Sequence, residues 1–437
     1  MRTLLFLLTV VYTLLLIIRP QEFTPGLEQT PLLQIVLLVA FGVWCTRAGK
    51  GLDLPQFALI PLLLVFVWLS LGIGGGWWGG IVPALNTLLP PMLLMVIVSG
   101  SVRSLGELRV YSLVLIACAC TLVYHGFLQV TYGLGWTGQP MIEGRITYTG
   151  IFNDPNDMGL LIVLALALSI YHLKLCTSLL AKLVMLAAVG WLMYGVYLTD
   201  SRGTMLATLA VVALELWTAY GKTVVISLGA VAVPVLVATT RLAALDASDE
   251  SAEGRVDAWY EGMQMLREYP FFGVGWQMFG DHHGLTAHNS VVLAMAELGL
   301  AGYTFWLALV FFSGWMIWRI AIPPSPPKLA PALPWLAEKL PTQPPVGDPS
   351  ATEKAERTAA RALLYGAIGF SVGAFFLSQS YKAMLFLNCG LIAGRYLGMR
   401  EAGIALPEFP LLQNLPRVGV WAVGSVIFMW VLVRVLL

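Results

Sequence analysis

Apolar stretches of roughly 17–25 residues recur along this chain, each long enough to cross a bilayer as a helix. That repetition excludes most folds. The stretches lie near 4–19, 31–45, 57–73, 84–99, 110–132, 156–173, 183–199, 203–220, 222–239, 290–318, 362–380 and 382–396. One more, 418–436, reads as a final span or as a tail lying against the bundle. Hydrophobic residues make up 58% of the chain and charged ones 11%, where a soluble domain carries about 25% charged residues. Most of the chain therefore belongs in lipid, and the expected fold class is an all-α polytopic membrane protein with about 12 transmembrane helices. The first stretch begins Met-Arg and lacks a small-residue cleavage site, so it reads as an uncleaved span.

Orientation follows from the basic residues. With the N-terminus inside, most of the 25 lysines and arginines fall at cytoplasmic ends, while Arg19, Arg145, Arg202, Arg241, Arg255, Arg267, Lys382 and Arg434 fall outside. A net charge of +1 without basic runs gives no sign of a nucleic-acid partner. Cys45, Cys118, Cys120, Cys176 and Cys389 sit in or beside apolar stretches without CxxC spacing and read as small hydrophobes. Five regions are expected: a transmembrane bundle over 1–239, an outer loop over 240–289, a span over 290–320, a Pro-rich cytoplasmic linker over 321–361 and C-terminal transmembrane helices over 362–437.

Four polar stretches fall on the outer face under this orientation, which makes a shared site possible. In "NDPND" (153–157), Asp154 can cap a helix that starts with Pro155, with Asp157 reaching back as in a capping box. Direct substrate contact is the other reading of Asn153, Asp154 and Asn156. Arg145 suits either an anion or the membrane interface. In "TDSRGT" (199–204), Arg202 falls in the first turn of a helix, where the dipole already favours an anion. It reads as an anion contact or as the partner of Asp200.

The third stretch places Val256, Trp259, Tyr260, Met263 and Leu266 at helical spacing, giving an amphipathic helix over about 254–270. Arg255 follows Gly254 at its expected start, so two arginines at two helix starts form a candidate phosphate cradle. The fourth stretch, "GDHHGLTAHNS", puts His288 just before a long span that Asn289 or Ser290 can cap. A neutral imidazole there suits a general base, and a structural histidine is the alternative. No spacing supports a metal site at Asp281, His282, His283 and His288. Glu297 is an intramembrane acid that points away from His288 and needs a partner in the bundle.

Taken in order, Gly150 to Asn156, Ser201 to Gly203, Gly254 to Trp259, Phe272 to Trp276 and His288 to Gly302 resemble the O-antigen ligase and polymerase superfamily. The "RPQEF" at 19–23 is also similar to some members. The resemblance implies a GT-C-type glycosyltransferase fold with a large periplasmic loop of amphipathic helices, in the bacterial inner membrane. It implies transfer of a glycan from undecaprenyl diphosphate to an acceptor hydroxyl on the periplasmic face, with inversion and without metal or other cofactor. Lipid A core oligosaccharide, a protein side chain or a growing glycan are the acceptors it allows. The family's essential arginines fall on Arg202 and Arg255 and its essential histidine on His288; Arg145, Asn153, Asp154, Asn156, Asn289 and Trp259 are the expected substrate contacts. A polysaccharide transporter or flippase is the competing class, but transporters place substrate near the midplane on repeated halves. Here the polar cluster lies at one face and no repeat is visible.

Overall fold

The computed structural model describes residues 1–27, 30–239, 250–322 and 351–437. Most of the Pro-rich linker, and the first residues of the outer loop, lie outside the described residues. The described chain is helical, with no β-structure beyond isolated bridges. In order the helices are α1 (Arg2–Ile17), α2 (Leu32–Cys45), α3 (Pro55–Leu69), α4 (Ile81–Ser101), α5 (Leu105–Tyr132), α6 (Pro155–Leu175), α7 (Leu179–Thr199) and α8 (Arg202–Tyr220). They continue with α9 (Lys222–Thr239), α10 (Glu250–Glu268), α11 (Phe279–His283), α12 (Ser290–Ala321), α13 (Ala351–Ala374), α14 (Ala383–Glu401) and α15 (Leu411–Leu436).

Among the described residues, eight helices are long and apolar enough to cross a membrane: α3 with its short extension, α4 to α8, α12 and α15. The stretch near the C-terminus is therefore one of them. The apolar helices α1 and α2 are shorter. The protein is a multi-pass membrane protein; the count of about 12 spans exceeds the eight that meet these limits. α6 is the most enclosed, with 78% of its apolar window buried, whereas α7 and α15 are peripheral at 17% and 22%. The start of α6 therefore lies at the centre of one end of the bundle.

Several boundaries differ from the sequence expectation. α10 begins at Glu250, so Arg255 stands in its second turn instead of at its start. α13 begins at Ala351, within the expected linker, because its buried Glu356 pairs with Arg395 of α14. The expected span over 362–380 stops at Ala374, and residues 375–382 fold back as a loop between α13 and α14.

The largest departure is inside α12. Gly299 takes φ 62 and ψ −177, a conformation essentially confined to glycine, and the span is broken there. Breaking a helix in lipid frees backbone groups that cost several kcal/mol each if left unpaired. The "PFFGVG" loop at 270–275 supplies their partners. Val274 N–H donates to Ala296 O at 2.9 Å and Gly275 N–H to Glu297 O at 3.2 Å. In return Leu300 N–H donates to Pro270 O at 2.8 Å and Ala301 N–H to Phe271 O at 3.2 Å. This backbone contact leaves no room for side chains: a Cβ on Gly273 would lie 2.4 Å from the Glu297 carbonyl carbon, and one on Gly299 2.4 Å from that of Phe271.

At the opposite end, Arg2 pairs with Glu107, Arg103 with Glu401, Arg395 with Glu356 and Arg400 with Asp53. The four arginines share the cytoplasmic face expected from charge placement.

Gly273→Val is expected to destabilise the folded protein by about 2–4 kcal/mol, combining a φ of +69 with a clash against backbone. Gly280→Ala meets nothing within 4 Å and should stay within about 0.5 kcal/mol of wild type. Thermal unfolding in detergent distinguishes the two; equal midpoints would show that the break tolerates a side chain.

Candidate active site at the helix starts

Three helix starts gather at one end of the bundle, each closed by a side-chain cap. Asp154 accepts the Asn156 N–H at 2.7 Å, with Pro155 at the first helical position of α6. Ser201 accepts the Thr204 N–H at 3.2 Å, leaving Arg202 as the first residue of α8. Asn289 accepts the N–H groups of Val291 and Val292 at 2.9 and 3.1 Å. The starts of α6 and α8 touch, since a Cβ on Gly159 would fall 1.9 Å from Thr204 Oγ1. The start of α12 is locked to the 375–382 loop, where the Ser290 hydroxyl reaches the carbonyls of Ala374 and Leu377 and accepts the Gln379 N–H. Gln379 in turn donates to Asp157 of α6.

A cleft of about 530 Å³ opens beside these starts. Its walls bring together Arg145, Asn153, Asp154 and Asn156 with Arg255 of α10 and His288 before α12. Arg145 arrives on a two-residue turn: Glu143 and Gly144 have φ 51 and 75, and Ile142 and Arg145 exchange backbone hydrogen bonds at 3.0 and 2.9 Å. That is the positive-φ geometry that lets a tight hairpin close. From there Arg145 donates to Asn156 Oδ1 at 2.8 Å and to the Thr199 carbonyl at 2.9 Å, joining α6 to the end of α7.

Arg202 does not line the cleft; its neighbour Gly203 packs beside Phe376 of the 375–382 loop. Asn289 is fully buried behind the cleft as a cap. Trp259 is also buried, its ring 5.6 Å from that of Phe375 in an edge contact. Asp157 does not close a capping box: its carboxylate is held by Gln379 and by Lys382, a residue that no sequence pattern singled out. His282 meets Tyr269 in an edge contact, and His283 lies 3.9 Å from Asp257, away from the cleft.

His288 is half-buried and takes a left-handed φ of 45, uncommon for a residue with a side chain. Backbone in such a region persists when its surroundings hold it, here the Asn289 cap and the loop before α12. Burial lowers its proton affinity from the ordinary histidine value, and the positive charges of Arg255 and Lys382 lower it further, against an opposing pull from Asp154. The imidazole is therefore neutral near pH 7 and able to accept a proton.

Replacing Arg255 by Gln removes a cation that disfavours the imidazolium, so the His288 titration midpoint should rise; Asp154→Asn should lower it while keeping the cap. The pH dependence of diethyl pyrocarbonate modification at His288, followed by mass spectrometry, reads both. Shifts in the same direction would contradict the electrostatic assignment.

No curated protein matches the chain. Residues 187–307, from α7 through the middle of α12, match the family model described as O-Antigen ligase. The matched segment holds Arg202, Arg255 and His288. Residues 187–307 thus mark an O-antigen ligase segment within this multi-pass membrane protein.

Proposed function

We propose that the protein is an O-antigen ligase-type glycosyltransferase, working from the periplasmic face of the bacterial inner membrane. It moves a glycan from undecaprenyl diphosphate to a hydroxyl of lipid A core oligosaccharide or a similar acceptor. The observation that carries this reading is the meeting of Arg145, Arg255 and a neutral-leaning His288 around one cleft, in a chain with an O-antigen ligase segment.

In the reaction, the bond between the anomeric carbon and the diphosphate oxygen breaks as the acceptor oxygen bonds to the opposite face of that carbon, inverting it. Negative charge grows on the departing diphosphate. Cations and helix N–H groups already in place stabilise it without protonation and without rearranging at the moment of reaction. Arg255 takes that role with Arg145 at the cleft wall, and Arg202 adds its charge from the adjoining start of α8. The acceptor proton passes to the His288 ring nitrogen. Asn153, Asp154 and Asn156 contact the substrates at the wall of the cleft. Asn289 and Trp259, both buried, contribute by holding the α12 start and the α10 helix in place. Chain building by a polymerase, or transfer to a protein, uses the same chemistry and differs only in the acceptor.

Arg202→Ala and Arg255→Ala are each expected to slow transfer by about 10²–10³, with thermal stability preserved. The assay is transfer from lipid-linked glycan in proteoliposomes, with the length of the product separating ligase from polymerase. Wild-type rates in both variants would remove the diphosphate assignment.

His288→Ala is expected to abolish transfer while donor binding, measured on the same preparation, persists. Undiminished transfer would assign the proton to another group.

A further inference from the structure

A second and larger cavity of about 780 Å³ adjoins the cleft, with Asn153 on the wall of both. Helices α1, α2 and α4 give it an apolar side. Its polar side carries Asp157, Gln379, Lys382, Glu297 and Tyr381. The first three satisfy one another through the Gln379 and Lys382 bonds to Asp157. The other two keep hydrogen-bonding capacity that the fold does not use.

Glu297 is 2% exposed, and its Oε2 has no hydrogen-bond partner. The backbone N–H groups of Gln277 and Phe279 lie near its carboxyl group, and the Tyr381 hydroxyl faces it. The Tyr381 hydroxyl oxygen is buried and also lacks a bond of normal geometry. The same is true of the Trp276 indole N–H, whose ring lies 6.1 Å from that of Tyr381. Buried polar groups are nearly always paired, and several exceptions at one place call for an explanation. Glu297 sits there because of the α12 break: its own carbonyl accepts from Gly275, two residues before Gln277.

We propose that Glu297 and Tyr381 bind the hydroxyls of a sugar ring in this larger cavity. A carboxylate accepts hydrogen bonds from ring hydroxyls, and a phenol both gives and accepts them, so the pair matches a neutral polyhydroxyl ligand. It does not match the diphosphate, which a carboxyl group does not attract and which has Arg255 and Arg145 in the neighbouring cleft. It does not call for an amine either, because two cations, Lys382 and Arg19, already stand at this wall. The sugar belongs to the donor glycan or to the acceptor. Naming the ligand as a glycan rests on the glycosyltransferase reading above.

The test measures binding to the full-length protein in nanodiscs, separately for lipid A core oligosaccharide freed of its lipid and for undecaprenyl-diphosphate-linked glycan. It compares wild type with Glu297→Gln, which keeps size and acceptor oxygen, and with Tyr381→Phe, which removes the hydroxyl and keeps the ring. Removing one hydrogen bond to a buried partner should weaken binding by about tenfold. Weakening for the core oligosaccharide places the acceptor sugar at Glu297; weakening for the lipid-linked glycan places the donor sugar there. Unchanged affinity for both ligands in both variants overturns the proposal even if transfer by the wild type is normal. So does a variant that loses only thermal stability, as a purely structural carboxyl would. If the wild type binds sugar through Glu297 yet transfers none, the glycosyltransferase reading fails and the sugar site stands.

Discussion

The backbone stitch between residues 270–275 and the broken α12 is the contact on which the site end of the molecule depends. α12 carries His288 at its start and Glu297 beside its break, and the loop that fills the break continues directly from α10, which carries Arg255. Four hydrogen bonds between two unwound segments therefore set the spacing of the arginine against the histidine. Side-chain packing alone would leave α10 as an amphipathic helix free to slide on the membrane surface. Fixing it through backbone groups makes its position a condition of folding, because the freed carbonyls and N–H groups of α12 have no other partners in an apolar surrounding. Two glycines meet that condition, Gly299 by its φ and ψ and Gly273 by the closeness of the Glu297 backbone.

The two ends of the bundle handle charge differently. At one end each named arginine has its own acid: Arg395 is 2% exposed and reaches both Glu356 and the Arg103 carbonyl, while Arg103 reaches Glu401 and the Gly49 carbonyl. Buried pairs of this kind contribute little net stability, since desolvation offsets most of the attraction. Breaking one is nonetheless costly, so they hold α4, α13 and α14 in register. At the other end acids and bases are unequal in role. Asp154 serves as a cap and Asp157 is neutralised by Lys382, while Arg145 and Arg255 face the cleft.

What the sequence revealed was what local physics decides. Asp154 with Pro155, Ser201 before Arg202, and Asn289 after His288 mark helix starts by capping chemistry, and all three caps are present. The gathering of Arg145, Asn153, Asp154, Asn156, Arg255 and His288 followed from topology, since all were assigned to one face. Long-range partners decided the rest. Asp157 fits a capping box by spacing, yet Lys382 and Gln379, more than two hundred residues away, hold it instead. Gly254 reads as a helix start because glycine disfavours helix interiors, but α10 runs through it from Glu250. The apolar run after His288 is continuous in composition, so hydropathy conceals the break at Gly299. The visible signal was the pairing of "FGVGW" with a glycine two residues after Glu297, glycines that a straight helix and an ordinary loop do not require.

One electrostatic arrangement serves both halves of the proposed chemistry. The starts of α6, α8 and α12 each present free N–H groups and the positive end of a helix dipole, and Arg255 and Lys382 add full charges near His288. That field favours an anion in the cleft. Burial does most to keep the imidazole unprotonated, and Arg255 and Lys382 add to it by lowering its proton affinity further. Once a diphosphate occupies the cleft, its charge offsets the cations, and the proton affinity of His288 must rise toward or above the ordinary histidine value. In the proposed reaction the bound leaving group makes the base more basic, so proton uptake from the acceptor is favoured when the leaving group is in place. A single group of cations couples the two, with no conformational change required.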